Sequence, residues 1–140
     1  MALIGNLLWL LLGGFLFALG WFLGGILLCC TVIGIPFGIA SFRIGFFALM
    51  PFGHELVPAE VVGERRIAGT WVANLVWVIL AGLWLAIAHF VLGIGCCLSI
   101  IGIPLGIIHF KLAGASFAPL GKRVVSKSDL RRRAARGSVR

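Results

Sequence analysis

The sequence predicts an all-α integral membrane protein of two tandem repeats, each a long transmembrane helix followed by a shorter helix set off by a Gly-Ile-Pro break. Three observations carry this expectation. First, the 140 residues are 61% hydrophobic and 11% charged, with mean hydropathy +1.17. A soluble domain carries about 25% charged residues to build a polar shell, and this chain has nothing from which to build one. Second, no charged residue occurs from Leu7 to Phe42, and none from Trp71 to Phe110 other than His89 or His109 when protonated. Either run exceeds the roughly 20 apolar residues needed to cross about 30 Å of hydrocarbon. Third, the chain matches itself without gaps. Asn6–Val57 aligns with Asn74–Val125, and roughly 20 of about 52 positions are identical, the signature of an internal duplication.

The elements follow in order. Residues 1–57 form the first membrane repeat. Its N-terminus lacks the basic start of a secretory signal, and its apolar run is longer than a cleaved one, so it reads as a retained span. Asn6 and Trp9 are placed as a helix cap and an interfacial anchor, and a long apolar helix follows. Gly34-Ile35-Pro36-x-Gly38 then breaks the helix, because proline ends a helix yet suits the first turn of a new one. A shorter segment runs to Pro51-Phe52-Gly53. Residues 58–70 form a linker holding Glu60, Glu64, Arg65 and Arg66. Residues 71–125 repeat the pattern with Asn74, Trp77, Gly102-Ile103-Pro104-x-Gly106 and Pro119-Leu120-Gly121. Residues 126–140 are a basic tail.

Two topologies fit this layout. The short segment either completes a two-span hairpin or re-enters or lies in the interface; about 15 residues reach only about 22 Å. Net charge is +8, and Lys122, Arg123, Lys127, Arg131, Arg132, Arg133, Arg136 and Arg140 gather near the C-terminus, opposed only by Asp129. The positive-inside bias puts this tail in the cytoplasm, where basic residues also attract anionic lipid. Nucleic acid is a rival partner for such a tail and is not expected here.

Asn74-Leu75-Val76-Trp77, the Gly102-Ile103-Pro104-Leu105-Gly106-Ile107 segment leading to Phe110-Lys111, and Pro119-Leu120-Gly121-Lys122-Arg123-Val124-Val125 resemble the YccF-type inner-membrane component domain. The first copy carries a weaker version, Pro51-Phe52-Gly53-His54-Glu55. The resemblance covers nearly everything before about Ser126. It implies a bacterial inner-membrane location, several spans and a duplicated domain, and it brings no catalytic or binding residues.

Few residues offer chemistry. Arg43 and Lys111 occupy equivalent places in the short segments, suited to snorkelling, to a lipid phosphate or to an anion path. His89 is an ionisable group in an apolar helix, and such groups are functional suspects; Trp21 occupies its place in the first repeat. The helix breaks are Gly34, Pro36, Gly38, Gly102, Pro104 and Gly106, and the helices that start at Pro36 and Pro104 present the free N–H groups of their first turns to an anion. Cys29-Cys30 and Cys96-Cys97 lack metal or redox spacing and read as packing. No catalytic set, metal site or cofactor motif is found, so no enzyme is expected.

The function expected from these features is an oligomeric pathway for ions or small solutes, built around interrupted segments by several copies of the chain. The alternative is a non-transporting scaffold that binds anionic lipid or a partner membrane protein.

Overall fold

A computed structural model describes residues 2–137; Arg140 of the basic tail lies outside the described residues. The chain is mostly helical and contains two long apolar helices, α1 (Ala2–Cys29) and α3 (Thr70–Cys97). Each is followed by a shorter helix, α2 (Ile35–Leu49) and α4 (Ile103–Phe117). Two compact units result, one of residues 1–67 with 121–140 and one of residues 68–120.

Within each unit a long and a short helix form a hairpin. Glycine lets the arms close. A Cβ on Gly38 would sit 2.7 Å from the Gly25 carbonyl oxygen and against the Cys29 sulfur; one on Gly106 would sit 2.8 Å from the Gly93 carbonyl and against the Cys97 sulfur. Phe22 packs edge-on to Phe46 with ring centroids 5.1 Å apart, and Phe90 meets Phe110 at 5.5 Å. The turn between the arms is built alike in both. Pro36 and Pro104 stand in the first turn of the short helices, where a missing N–H costs no hydrogen bond. Gly34 N–H donates to the Thr31 hydroxyl, and Gly102 N–H to the Ser99 hydroxyl, both at 3.0 Å.

The long helices are not uniform. Leu10–Gly14 and Val78–Gly82 are widened π-type turns. At the first, Gly13 adopts φ 119°, so the α-helical segments Ala2–Trp9 and Phe15–Cys29 meet at a kink. The hairpin arm above that kink is therefore the 15-residue segment Phe15–Cys29, the same length as α2.

Asn6 and Trp9, expected as a cap and an interfacial anchor, serve differently. Asn6 lies inside the helix. Its amide donates to the Phe52 carbonyl at 3.1 Å and accepts from the Phe52 N–H at 2.9 Å. Trp9 is buried and its indole N–H donates to the Ala48 carbonyl at 2.6 Å. Asn74 pairs in the same way with Leu120, at 3.2 and 3.1 Å, and Trp77 donates to the Ser116 carbonyl at 2.8 Å. The last turn of a helix leaves carbonyls without intrahelical partners. Trp9 and Trp77 satisfy such carbonyls, Asn6 and Asn74 bond the backbone just beyond, and together they tie the start of each long helix to the end of its short one.

The all-α expectation is corrected at one place. β1 (His54–Pro58) and β2 (Lys122–Ser126) form an antiparallel pair, with His54 opposite Ser126 and Pro58 opposite Lys122. Gly53 and Gly121, at φ 96° and 83°, turn the chain out of the short helices and into these strands. The pair is extended by Ala59 N–H to Gly121 O at 2.8 Å and Lys127 N–H to Gly53 O at 2.9 Å. The start of the basic tail is α5 (Lys127–Ala135). Ser126 caps it by accepting from the Ser128 and Asp129 N–H groups, and Arg132 and Arg133 stand in its last turn, where the helix dipole favours cations.

Candidate functional site

Polar chemistry is concentrated in two places, one in each unit. In the first unit it lies around the strand pair. The Arg123 Nε donates to Glu64 Oε1 at 2.9 Å, and a second guanidinium nitrogen reaches Glu64 Oε2. The fork geometry suits a carboxylate, and the charge-assisted bonds hold the Glu64 carboxyl below the usual carboxylate range. Arg43, half-buried on α2, lies near enough to interact electrostatically with both Glu64 and Arg123. One carboxylate thus stands among two guanidinium groups. Lys127 approaches Glu55 at 3.9 Å, and Arg66 approaches Glu60 at 3.8 Å. Arg133 of α5 reaches the Val62 carbonyl at 3.4 Å, which ties the tail helix to the linker. Burial pushes the Lys122 ammonium below its usual range.

In the second unit it lies inside the hairpin. His89 on α3 and His109 on α4 are both buried, with their Nδ1 atoms 3.2 Å apart. One ring donates and the other accepts, so the two imidazoles hold opposite roles at these atoms. The rings stand 5.4 Å apart, centre to centre. Trp21 and Ser41 occupy the equivalent positions of the first repeat, and both are buried as well.

The expected site residues therefore separate. Arg43 joins Glu64 and Arg123 in the first unit. Lys111 is half-buried on α4 of the second, and His89 pairs with His109 there. Gly34, Gly38, Gly102 and Gly106 are buried in the hairpin turns, while Pro36 and Pro104 are exposed. Cys29 and Cys97 each pack on a glycine of their own hairpin. Among the described residues, no three His, Cys, Asp or Glu side chains gather to hold a metal.

Two features escaped the sequence reading. The Glu64–Arg123 pair joins residues 59 positions apart, and no spacing rule connects a linker acid to a strand base across a whole repeat. The His89–His109 contact was open to inference. In paired helices of equal rise, residues equidistant from the turn meet, and these two lie at similar distances from it.

The inner membrane component domain family, YccF, matches the chain twice, over residues 4–54 and 72–122. The chain is 36% identical over 126 residues to the inner membrane protein YccF of Escherichia coli strain K12, an alignment covering 86% of this chain and 85% of that protein. The inner membrane protein YccF of Shigella flexneri matches to the same extent. No solved structure matches the chain.

Proposed function

The chain belongs to the YccF inner membrane component family, and from that premise we propose that it is a membrane-embedded anchor whose basic head binds anionic lipid at the cytoplasmic face. Its two helical hairpins hold the chain in the bacterial inner membrane. Its strand pair and α5 form the head. The observation that carries this reading is the segregation of polarity along the chain. The long helices present Leu11, Leu16, Leu27, Leu80, Trp84 and Val91 outward, each more than half exposed. The basic residues from Lys122 onward fall in β2, α5 and the tail. Apolar side chains in such numbers call for a hydrocarbon solvent. A cluster of Lys and Arg just beyond an apolar segment is attracted to an anionic cytoplasmic leaflet by about 1 kcal/mol per residue near the surface. The positive-inside bias gives the orientation.

The test is resonance energy transfer from a dye on Ser128→Cys, in a background lacking the native cysteines, to head-labelled phosphatidylglycerol in vesicles. Transfer should exceed that to labelled phosphatidylcholine and should fall with added salt. It should also fall when Arg131, Arg132, Arg133 and Arg136 become Gln. Equal transfer to both lipids, insensitive to the four substitutions, refutes the lipid-binding head.

A conducting assembly of several copies is the second reading. The buried His89–His109 contact favours it, as a protonatable pair inside an apolar hairpin. Ion flux through the purified protein in sealed liposomes separates the two readings. Flux above empty liposomes, with an ion preference altered in Arg43→Ala/Lys111→Ala, supports the pathway. No flux across voltage and pH supports the anchor.

A further inference from the structure

We infer that each hairpin is re-entrant: its turn ends inside the far leaflet, among acyl chains, and does not emerge on the other side. The inference rests on the membrane-anchor reading and concerns how deep the hairpins go.

Three independent observations point the same way. The first is length. The arms of the first hairpin, Phe15–Cys29 and Ile35–Leu49, are 15 residues each, about 22 Å at 1.5 Å per residue. In the second, the segment beyond the π-type turn, Leu83–Cys97, and the short arm, Ile103–Phe117, are also 15 residues each. Hydrocarbon is about 30 Å thick. The 28-residue extent of α1 does not lengthen the hairpin, because the kink at Gly13 separates Ala2–Trp9 from the arm, and Trp9 is fixed to Ala48 at the hairpin base.

The second observation is the chemistry of the turns. Val32 and Ile33 in the first are each 86% exposed; Leu98, Ile100 and Ile101 in the second are 86, 88 and 81% exposed. A turn that emerged into water would present these side chains to it, against the hydrophobic effect. It would also be expected to carry the Trp, Tyr, Lys or Arg that mark a membrane–water boundary, and neither turn has one. The hydroxyls at the turns point back to the chain. Thr31 donates to the Leu28 carbonyl at 2.9 Å, and Ser99 to the Cys96 carbonyl at 3.4 Å.

The third observation is where the ionisable groups lie. Every Asp, Glu, Lys and Arg of the chain is absent from α1, α3 and both turns. The first to appear in each repeat are Arg43 and Lys111, well along the short helix toward the hairpin base. Each short helix then leads through a Pro-x-Gly turn into a charged strand. Each hairpin therefore has one polar end and one wholly apolar end, as a segment that enters and leaves by the same face requires.

All four native cysteines, Cys29, Cys30, Cys96 and Cys97, adjoin the turns and report on them without any substitution. The experiment exposes sealed right-side-out and inside-out membrane vesicles to a membrane-impermeant maleimide. The wild type should label from either face at least about tenfold less than after detergent solubilisation, because a membrane-impermeant reagent does not enter the hydrocarbon. Ser128→Cys, in a background lacking the native cysteines, should label from one face. Labelling of the turns from the face opposite to Ser128→Cys means that the hairpins span, and the inference fails. Labelling from the same face means that they lie outside the hydrocarbon, and it fails also. Bimane placed at Val32→Cys or Ile100→Cys separates burial in protein from burial in lipid. Quenching by brominated acyl chains and not by aqueous iodide is expected, and the reverse overturns the inference. Alkaline carbonate tests the underlying reading separately: release of the wild type from the membrane would sink the anchor itself, whereas retention with labelled turns would sink only the re-entrant geometry.

Discussion

The two repeats build the same hairpin from different interiors. Asn6 and Asn74 make the same pair of bonds to the backbone beyond the short helix, and Trp9 and Trp77 donate to equivalent carbonyls. Gly38 and Gly106 bring the arms together in the same way. Between these fixed points the copies diverge. Trp21 and Ser41 fill the first hairpin where His89 and His109 meet in the second. Gly13 kinks the first long helix, whereas Ala81 holds that place in the second, and no described non-glycine residue has positive φ. Residues shared by both copies are thus the ones that close a hairpin. The residues that differ are compatible with either closure, which leaves them available for a task specific to one copy.

The largest effects should fall on shared positions and be equal in both repeats. Gly38→Leu and Gly106→Leu each force a side chain against a backbone carbonyl, and each should cost about 3 kcal/mol of stability in detergent denaturation. A large loss in one repeat alone would break the equivalence. Next comes the interior of the second hairpin. His89→Leu and His109→Leu should each cost about 1 to 2 kcal/mol, and the double substitution should cost less than their sum, since both singles remove the same imidazole contact. Additive losses would mean that the rings act separately. A smaller effect tests the kink. Gly13→Ala places a Cβ at φ 119° and should cost about 1 to 2 kcal/mol, while Ala81→Gly should cost only about 1 kcal/mol through helix propensity. Equal costs would show that the first helix straightens freely. The smallest effect belongs to the ribbon of the first unit. A carboxyl with a lowered folded pKa contributes stability above its unfolded value and loses it as pH falls through the folded one. The Glu64–Arg123 contact should therefore persist at neutral pH and loosen only below the ordinary carboxylate range, a change readable in the Arg123 Nε–H resonance.

The duplicated helical architecture was legible in the sequence because its signals are local: charge-free runs, and a one-to-one match of Asn6–Val57 with Asn74–Val125. The strand pair was not. His54–Pro58 and Lys122–Ser126 are five residues each, separated by a whole repeat, and neither stands apart from a charged loop when read alone. The Trp9 and Trp77 clamps were misplaced for a related reason. Tryptophan at the start of an apolar run commonly marks an interface, and only the partners 39 residues away identify these two as interior donors. Glu64 and Arg123 were each visible as charges, but their pairing depends on the ribbon that brings them together.

That ribbon also imposes an order on biosynthesis. His54 pairs with Ser126, and at about 5 to 20 residues per second the ribosome needs roughly 4 to 14 seconds to deliver the second strand after the first. The second hairpin lies between them in the chain, so β1 waits with an unsatisfied edge while α3 and α4 are made. An open edge invites pairing with foreign strands. Glu55 near the start of β1 and Pro58 at its end discourage such pairing during the wait. Closure of the ribbon then follows the synthesis of both hairpins, and a chain whose translation stops short of Gly121 cannot make it.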